Sequence, residues 1–196
     1  MPDNIEIKAL LKAVVIDNDE AAYKKLFVSL YETLYHFSFS ILKSSEEAEE
    51  IVSDVFIKIW EKKEALLRVN SPKFYFYTVA KNLSLNRLKK LKKDSQFSID
   101  KWALQMHSYT FNPEELIISQ EGTIRITQAI SDLPPRCKLI FKLVKEDGLK
   151  YKEVAELLHL SVKTIEAQMA IALRKVANYL KIDLESLPNL KQKKIG

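Results

Sequence analysis

Apolar residues recur every three to four positions through most of the chain, as in Leu26, Leu30 and Leu34 and again in Ala48, Ile51, Val55 and Ile59. That is the period of helices that bury one face. It predicts helices over about 8–16, 20–43, 45–63, 72–93, 113–130, 136–146, 151–158 and 162–181. The period is lost between 94 and 111. There Phe97 and Ile99, then Trp102, Leu104 and Met106, fall on alternate positions, which suits extended chain. Such a segment is either a strand or loop packed on its own domain or a linker lying on a partner. Asn112-Pro113-Glu114-Glu115 then supplies a cap, a proline for the first helical position and acids for the first turn. The expected fold is all-α: two small helical domains at 8–93 and 113–182, a linker at 94–112 and a basic tail at 183–196.

Composition narrows the chemistry. With three glycines in 196 residues, glycine-dependent phosphate loops are poor fits. Cys137 is the single cysteine, which excludes an intramolecular disulfide and a multi-cysteine metal site. No apolar run approaches the ~18 residues of a membrane span. The N-terminus carries Asp3 and Glu6 and no apolar stretch behind a basic start, unlike an export signal, so a cytoplasmic location is expected. His36, His107 and His159 stand apart from any ligand spacing, and no acidic pair flanks a nucleophile. No catalytic residue, metal site, cofactor or small-molecule substrate is expected. The net charge of +5 is unevenly spread. Residues 46–54 hold five acids and no base, while residues 81–93 hold six bases and no acid. Such blocks suggest two surfaces with different partners.

The segment 151–169, YKEVAELLHLSVKTIEAQM, reads as a helix-turn-helix. Val154, Leu157 and Leu158 supply the apolar face of its first helix, with Ala155 at a position for close crossing. His159 takes the turn position usual for glycine, and histidine is among the residues enriched at positive φ. Ser161 is placed to cap the second helix by accepting from the N–H of Thr164. Ile165, Met169, Ala172 and Val176 form its inner stripe, leaving Lys163, Glu166, Ala167, Gln168, Ala170 and Arg174 outside. The first turns of that outer face are short-chained, which lets the helix approach base edges in a major groove. An ordinary helical hairpin fits the same pattern. Asp132-Leu133-Pro134-Pro135 starts a supporting helix with Leu139, Ile140 and Leu143 inside, and Asp147-Gly148 ends it.

Residues 71–93 begin with an aromatic run, Phe74, Tyr75, Phe76 and Tyr77, and end in the basic block. Basic side chains neutralise phosphates and aromatic faces stack on unpaired bases. At least two of the four aromatics are expected to be buried. In the acidic helix 46–64, Phe56 and Trp60 form an i,i+4 pair on the flank, while Asp54, Lys58 and Glu61 line the outside. Indole rings are mostly buried, so a core role for Trp60 competes with a docking role.

Taken in order, DVFIKIW (54–60), YTVAKNLSLNRLKK (77–90) and LPPRCKLIFKLVKEDGLKYKEVAELLHLSVKTIEAQM (133–169) resemble the extracytoplasmic-function (ECF) group of RNA polymerase sigma factors. The resemblance implies a non-enzymatic factor that binds core RNA polymerase, recognises promoter DNA and supports transcription initiation. The alternative is an autonomous helix-turn-helix regulator. It implies polymerase binding through Asp54, Phe56, Ile57 and Trp60, and capture of a flipped minus-ten base by the Leu66–Ser71 segment, including Arg68 and Asn70. Asn82, Arg87, Lys89 and Lys90 match the promoter-melting helix. Ser161, Lys163, Thr164, Glu166, Ala167, Gln168, Ala170 and Arg174 match the minus-thirty-five reader. Segment 94–111 matches the stretch that threads through the polymerase. An anti-sigma factor, often membrane-anchored, is a further implied partner. Glu166, Gln168 and Ile171 stand where many members carry Arg or Lys, which changes the expected base preference, since carboxylates accept from cytosine and amides pair with adenine.

Overall fold

The computed structural model describes residues 2–92 and 128–180, and every regular element among them is helical. The expectations for the linker 94–112, the helix start at 113 and the tail 183–196 lie outside the described residues. Helix α1 (Asn4–Ile16) begins four residues earlier than the apolar period predicts. Asp3 accepts from the N–H groups of Ile5 and Glu6 at 2.7 and 2.8 Å, and Glu6 accepts from Asp3 N at 3.2 Å. This reciprocal cap satisfies end groups that would otherwise need water. Asp19 caps α2 (Glu20–Leu42), and Ser44 caps α3 (Ser45–Glu61), through side-chain oxygens. A single turn, α4 (Lys63–Leu66), carries no amphipathic signal of its own and escapes a periodicity reading. Helix α5 (Pro72–Lys92) opens on proline, whose missing N–H costs nothing there. Its first turn is capped from α1, where Asn4 Oδ1 accepts from Lys73 N at 3.0 Å.

Helices α1 to α5 pack around Ile7, Leu11, Leu26, Leu30, Leu34, Phe37, Ile51, Val55, Ile59, Phe76 and Tyr77, all essentially without solvent contact. Full burial of each such side chain stabilises by roughly 1.5–3 kcal/mol. The second group comprises α6 (Pro135–Lys145), α7 (Tyr151–Leu158) and α8 (Val162–Leu180). Cys137, Leu139, Ile140, Leu143, Val154, Leu157, Leu158, Ile165, Met169 and Ala172 fill its centre. Val176 is half-buried, and Ala177 takes the last inner place instead. The group is closed by Asp132, whose carboxylate accepts from Tyr179 O–H at 2.7 Å and whose carbonyl accepts from Lys175 Nζ at 2.7 Å. Gly148, at φ +69°, makes the turn between α6 and α7. The two groups meet where α7 lies against α5.

Candidate nucleic-acid interface

The turn between α7 and α8 spans residues 159–161, with His159 in the left-handed conformation at φ 52° and ψ 46°. Ser161 Oγ accepts from Thr164 N at 3.0 Å, as the sequence predicts. These two local devices aim the start of α8 outward. Lys163, Glu166, Ala167, Ala170 and Arg174 are exposed on one side of it, and Ile171, also exposed, adds an apolar contact. Thr164 and Gln168 are half-buried. Gln168 also has a role inside the fold, because its carbonyl accepts from the Cys137 thiol at 3.2 Å. Burial pushes that thiol above its ordinary range, so Cys137 is a structural residue.

On α5, Phe76 and Tyr77 are buried while Phe74 and Tyr75 are half-buried, in line with the expected division of that aromatic run. Asn82, Lys89 and Lys90 are exposed. Three sequence expectations need correction here. Arg87 is not a free phosphate contact: its Nη1 pairs with Glu47 at 2.7 Å and Glu50 at 2.8 Å on α3. The bond to Glu50 pushes the guanidinium pKa upward, which keeps the charge on it. Leu66 is 1% exposed and stands in the core at the base of α4, so it cannot meet a base. The basic block is not all surface either, because Lys81 is buried. Arg68 and Asn70 are exposed, and Ser71 is half-buried with its Oγ accepting from Asn4 Nδ2 at 3.2 Å. Thus α1 fixes the end of this segment from which α5 departs.

The acidic helix α3 gives a fourth correction. Phe56 is 3% exposed and packs against Phe27 and Phe76 at ring separations of 4.7 and 5.6 Å. It supports the surface without forming it. Ile57 and Trp60 are exposed, and Asp54 is half-exposed. The indole lies outside the core, edge-on to Tyr23 at 4.9 Å and under Lys63 Nζ at 3.8 Å. Glu20, Tyr23, Ile57, Trp60 and Glu61 line an open groove of about 500 Å3. Tyr23, anchored by donating its O–H to the Phe56 carbonyl at 2.9 Å, was not among the sequence candidates. Its signal was present as the four-residue spacing Tyr23, Phe27, Tyr31, Tyr35 and Phe39, a half-buried aromatic stripe beside the Leu26–Leu30–Leu34 core stripe. The groove can take an apolar helix edge, with acids beside it that favour a basic partner.

One group of helices thus presents the exposed outer face of a helix-turn-helix, and the other an acidic-rimmed apolar groove. Residues 26–94 match the family model described as Sigma-70 region 2, and residues 123–176 match Sigma-70, region 4. The chain belongs to the extracytoplasmic-function (ECF) sigma factors. It is 25% identical to the ECF RNA polymerase sigma factor SigW of Bacillus subtilis, over 83% of this chain and 90% of that protein. It is 24% identical to the ECF RNA polymerase sigma factor RpoE of Cereibacter sphaeroides, over 91% of this chain and 97% of that protein. In fold it is similar to the sigma factor RpoE of Bartonella quintana, solved in complex with the anti-sigma factor NepR. That likeness has a TM-score of 0.51 and 20% identity, over 82% of this chain and 98% of that one.

Proposed function

We propose that this chain is an RNA polymerase sigma factor that binds core polymerase, recognises promoter DNA and supports transcription initiation. The observation that carries the reading is the order of the two family matches, region 2 and then region 4, on one chain. An autonomous helix-turn-helix regulator leaves the region 2 match without a purpose. Residues 8–93 form the region 2-like domain and 113–182 the region 4-like domain, joined by the linker 94–112. Ile57 and Trp60, with Tyr23 added and Asp54 alongside, dock the polymerase. Arg68, Asn70, Ser71, Asn82, Lys89 and Lys90 serve the minus-ten element. Ser161, Lys163, Thr164, Glu166, Ala167, Gln168, Ala170 and Arg174 serve the minus-thirty-five element. The chain acts in the cytoplasm, catalyses no reaction itself, and is held in check by an anti-sigma factor.

Binding to both elements through one chain makes the second contact effectively intramolecular, which raises the affinity of an otherwise weak helix-turn-helix. Capture of an extruded base offsets an unstacking cost of a few kcal/mol. The test is transcription by purified core polymerase on a randomised promoter library, with and without this chain. New, sequence-defined start sites that depend on the chain are expected. Their absence at concentrations that saturate binding refutes the proposal.

A further inference from the structure

Helix α8 carries its exposed residues in a definite order. Lys163, Ala167, Ala170 and Arg174 follow at steps of four, three and four, so they form one line along its outer side. Glu166, one turn before Ala170, and Ile171, one turn after Ala167, stand on opposite flanks of that line. The line is cationic at its ends and apolar in its middle. Lys163 and Arg174 lie about 16 Å apart along the helix axis, a spacing that suits the two phosphate rims of a major groove about 12 Å wide. Side chains able to exchange hydrogen bonds with a base are turned elsewhere: Thr164 Oγ1 lies 2.8 Å from Ser161 Oγ within the cap, and Gln168 is half-buried. Among the described residues of this group, the exposed large apolar side chains are Ile171 at 44% and Tyr179 at 41%, and Tyr179 has its hydroxyl on Asp132. Ile171 has no such internal task. A β-branched side chain gains nothing from an exposed helical position, whereas its apolar surface gains free energy when a partner covers it.

We infer that the middle of α8 reads the C5-methyl groups of thymines, with Ile171 as the residue that sets this preference. The inference rests on the function proposed above and states which base feature its minus-thirty-five reader recognises. Guanine is most often selected by a bidentate Arg or Lys, and the middle of the line holds neither. Alanine and isoleucine can neither donate nor accept. The one base feature in the major groove that rewards an aliphatic neighbour is the thymine methyl. Ala167 and Ala170 are short enough to let the helix backbone approach the base edges, and Ile171 then reaches past them along one flank. Glu166 on the other flank is repelled by phosphate, which fits a helix that meets base edges along its middle and the backbone only at its ends. Lys163 and Arg174 therefore fix the register of the helix on the duplex, while the apolar stretch between them supplies the discrimination.

The test uses core polymerase carrying the full chain, on a promoter drawn from the randomised library. Each thymine of the minus-thirty-five element, on either strand, is replaced in turn by deoxyuridine, which deletes the methyl group and leaves every hydrogen-bonding group in place. Promoter affinity is read by titration at equilibrium. At one position or more the parent is expected to bind the deoxyuridine promoter about four-fold more weakly, the worth of one covered methyl. Ile171→Ala keeps a good helix former at an exposed site, so the fold is not at stake. It is expected to reduce that ratio to less than about two-fold at one position and to leave the others unchanged. An element selected without thymine, a parent indifferent to every deoxyuridine, or ratios that all survive in the variant overturns the inference. So does a variant that loses core polymerase while its ratios stand, because Ile171 then meets a protein. Start sites that depend on the chain but ignore the methyl groups remove this inference alone, whereas the absence of such sites refutes the proposed function instead.

Discussion

Asp147 places a carboxyl group where water does not reach, and the consequence is a stability that depends on pH in a calculable direction. Burial, opposed by the hydrogen bond from Tyr77, pushes its pKa up to about 6 from an ordinary value of 3.8. The groups facing it are Lys73 and Tyr77 on α5, and Lys142 and Glu146 on α6 and at its end. Between those two pKa values the folded chain binds more protons than the unfolded chain. Stability from this group is therefore fully present at low pH and is lost as pH rises through about 6. Over the step from pH 5 to pH 7.5, the loss is on the order of 1 kcal/mol. Asp147→Asn keeps an oxygen to accept from Tyr77 and removes the titration. Urea unfolding of parent and variant at both pH values isolates the group, because all other carboxylates cancel in the difference. The variant is expected to gain on the order of 1 kcal/mol relative to the parent between pH 5 and pH 7.5. A difference that is the same at both pH values, or that favours the variant at pH 5, refutes the reasoning.

Two further outcomes follow from the groove and the basic helix. Trp60 is 41% exposed, so a docked partner removes on the order of 100 Å2 of its surface from water. Trp60→Ala is then expected to weaken core polymerase binding by about 2.5 kcal/mol, read by titration at equilibrium; an unchanged affinity removes the groove from the docking surface. Lys89→Ala and Lys90→Ala are each expected to lower the salt slope of promoter binding by about 1, whereas Arg87→Ala, already paired with two acids, lowers it less. Equal slopes for all three chains count against this division of the α5 face.

The helix-turn-helix was legible in detail because its signals are local. Ser161 caps the residues right after it, and His159 sits in a turn whose backbone conformation few side chains tolerate. The stripes of α2 and α3 were legible for the same reason: a period of 3.6 is written within one segment. What escaped was set by other segments. The burial of Leu66 has no sequence signal because α4 is one turn long, too short to show a period. Phe56 and Trp60, one turn apart on one flank, look alike in sequence, yet packing against Phe27 and Phe76 buries the first and leaves the second outside. Arg87 and Lys81 are ordinary members of a basic run, and Lys73 a lone base beside the aromatic run, until the acids of α3 and the turns at His159 and Asp147 are brought against them. Charge periodicity specifies a face and cannot specify its neighbour across the fold.

The cap that Asn4 provides has a practical side. The region 2 match begins at residue 26, well after α1 ends. A fragment cut at that boundary would start α5 without an acceptor for Lys73 N, release Ser71 from its tether, and uncover the apolar wall that Ile7 and Leu11 now shield. The folded unit of this half of the molecule is therefore longer at its front end than the shared family segment, and the extra helix is part of what gives the segment leading into α5 a defined shape.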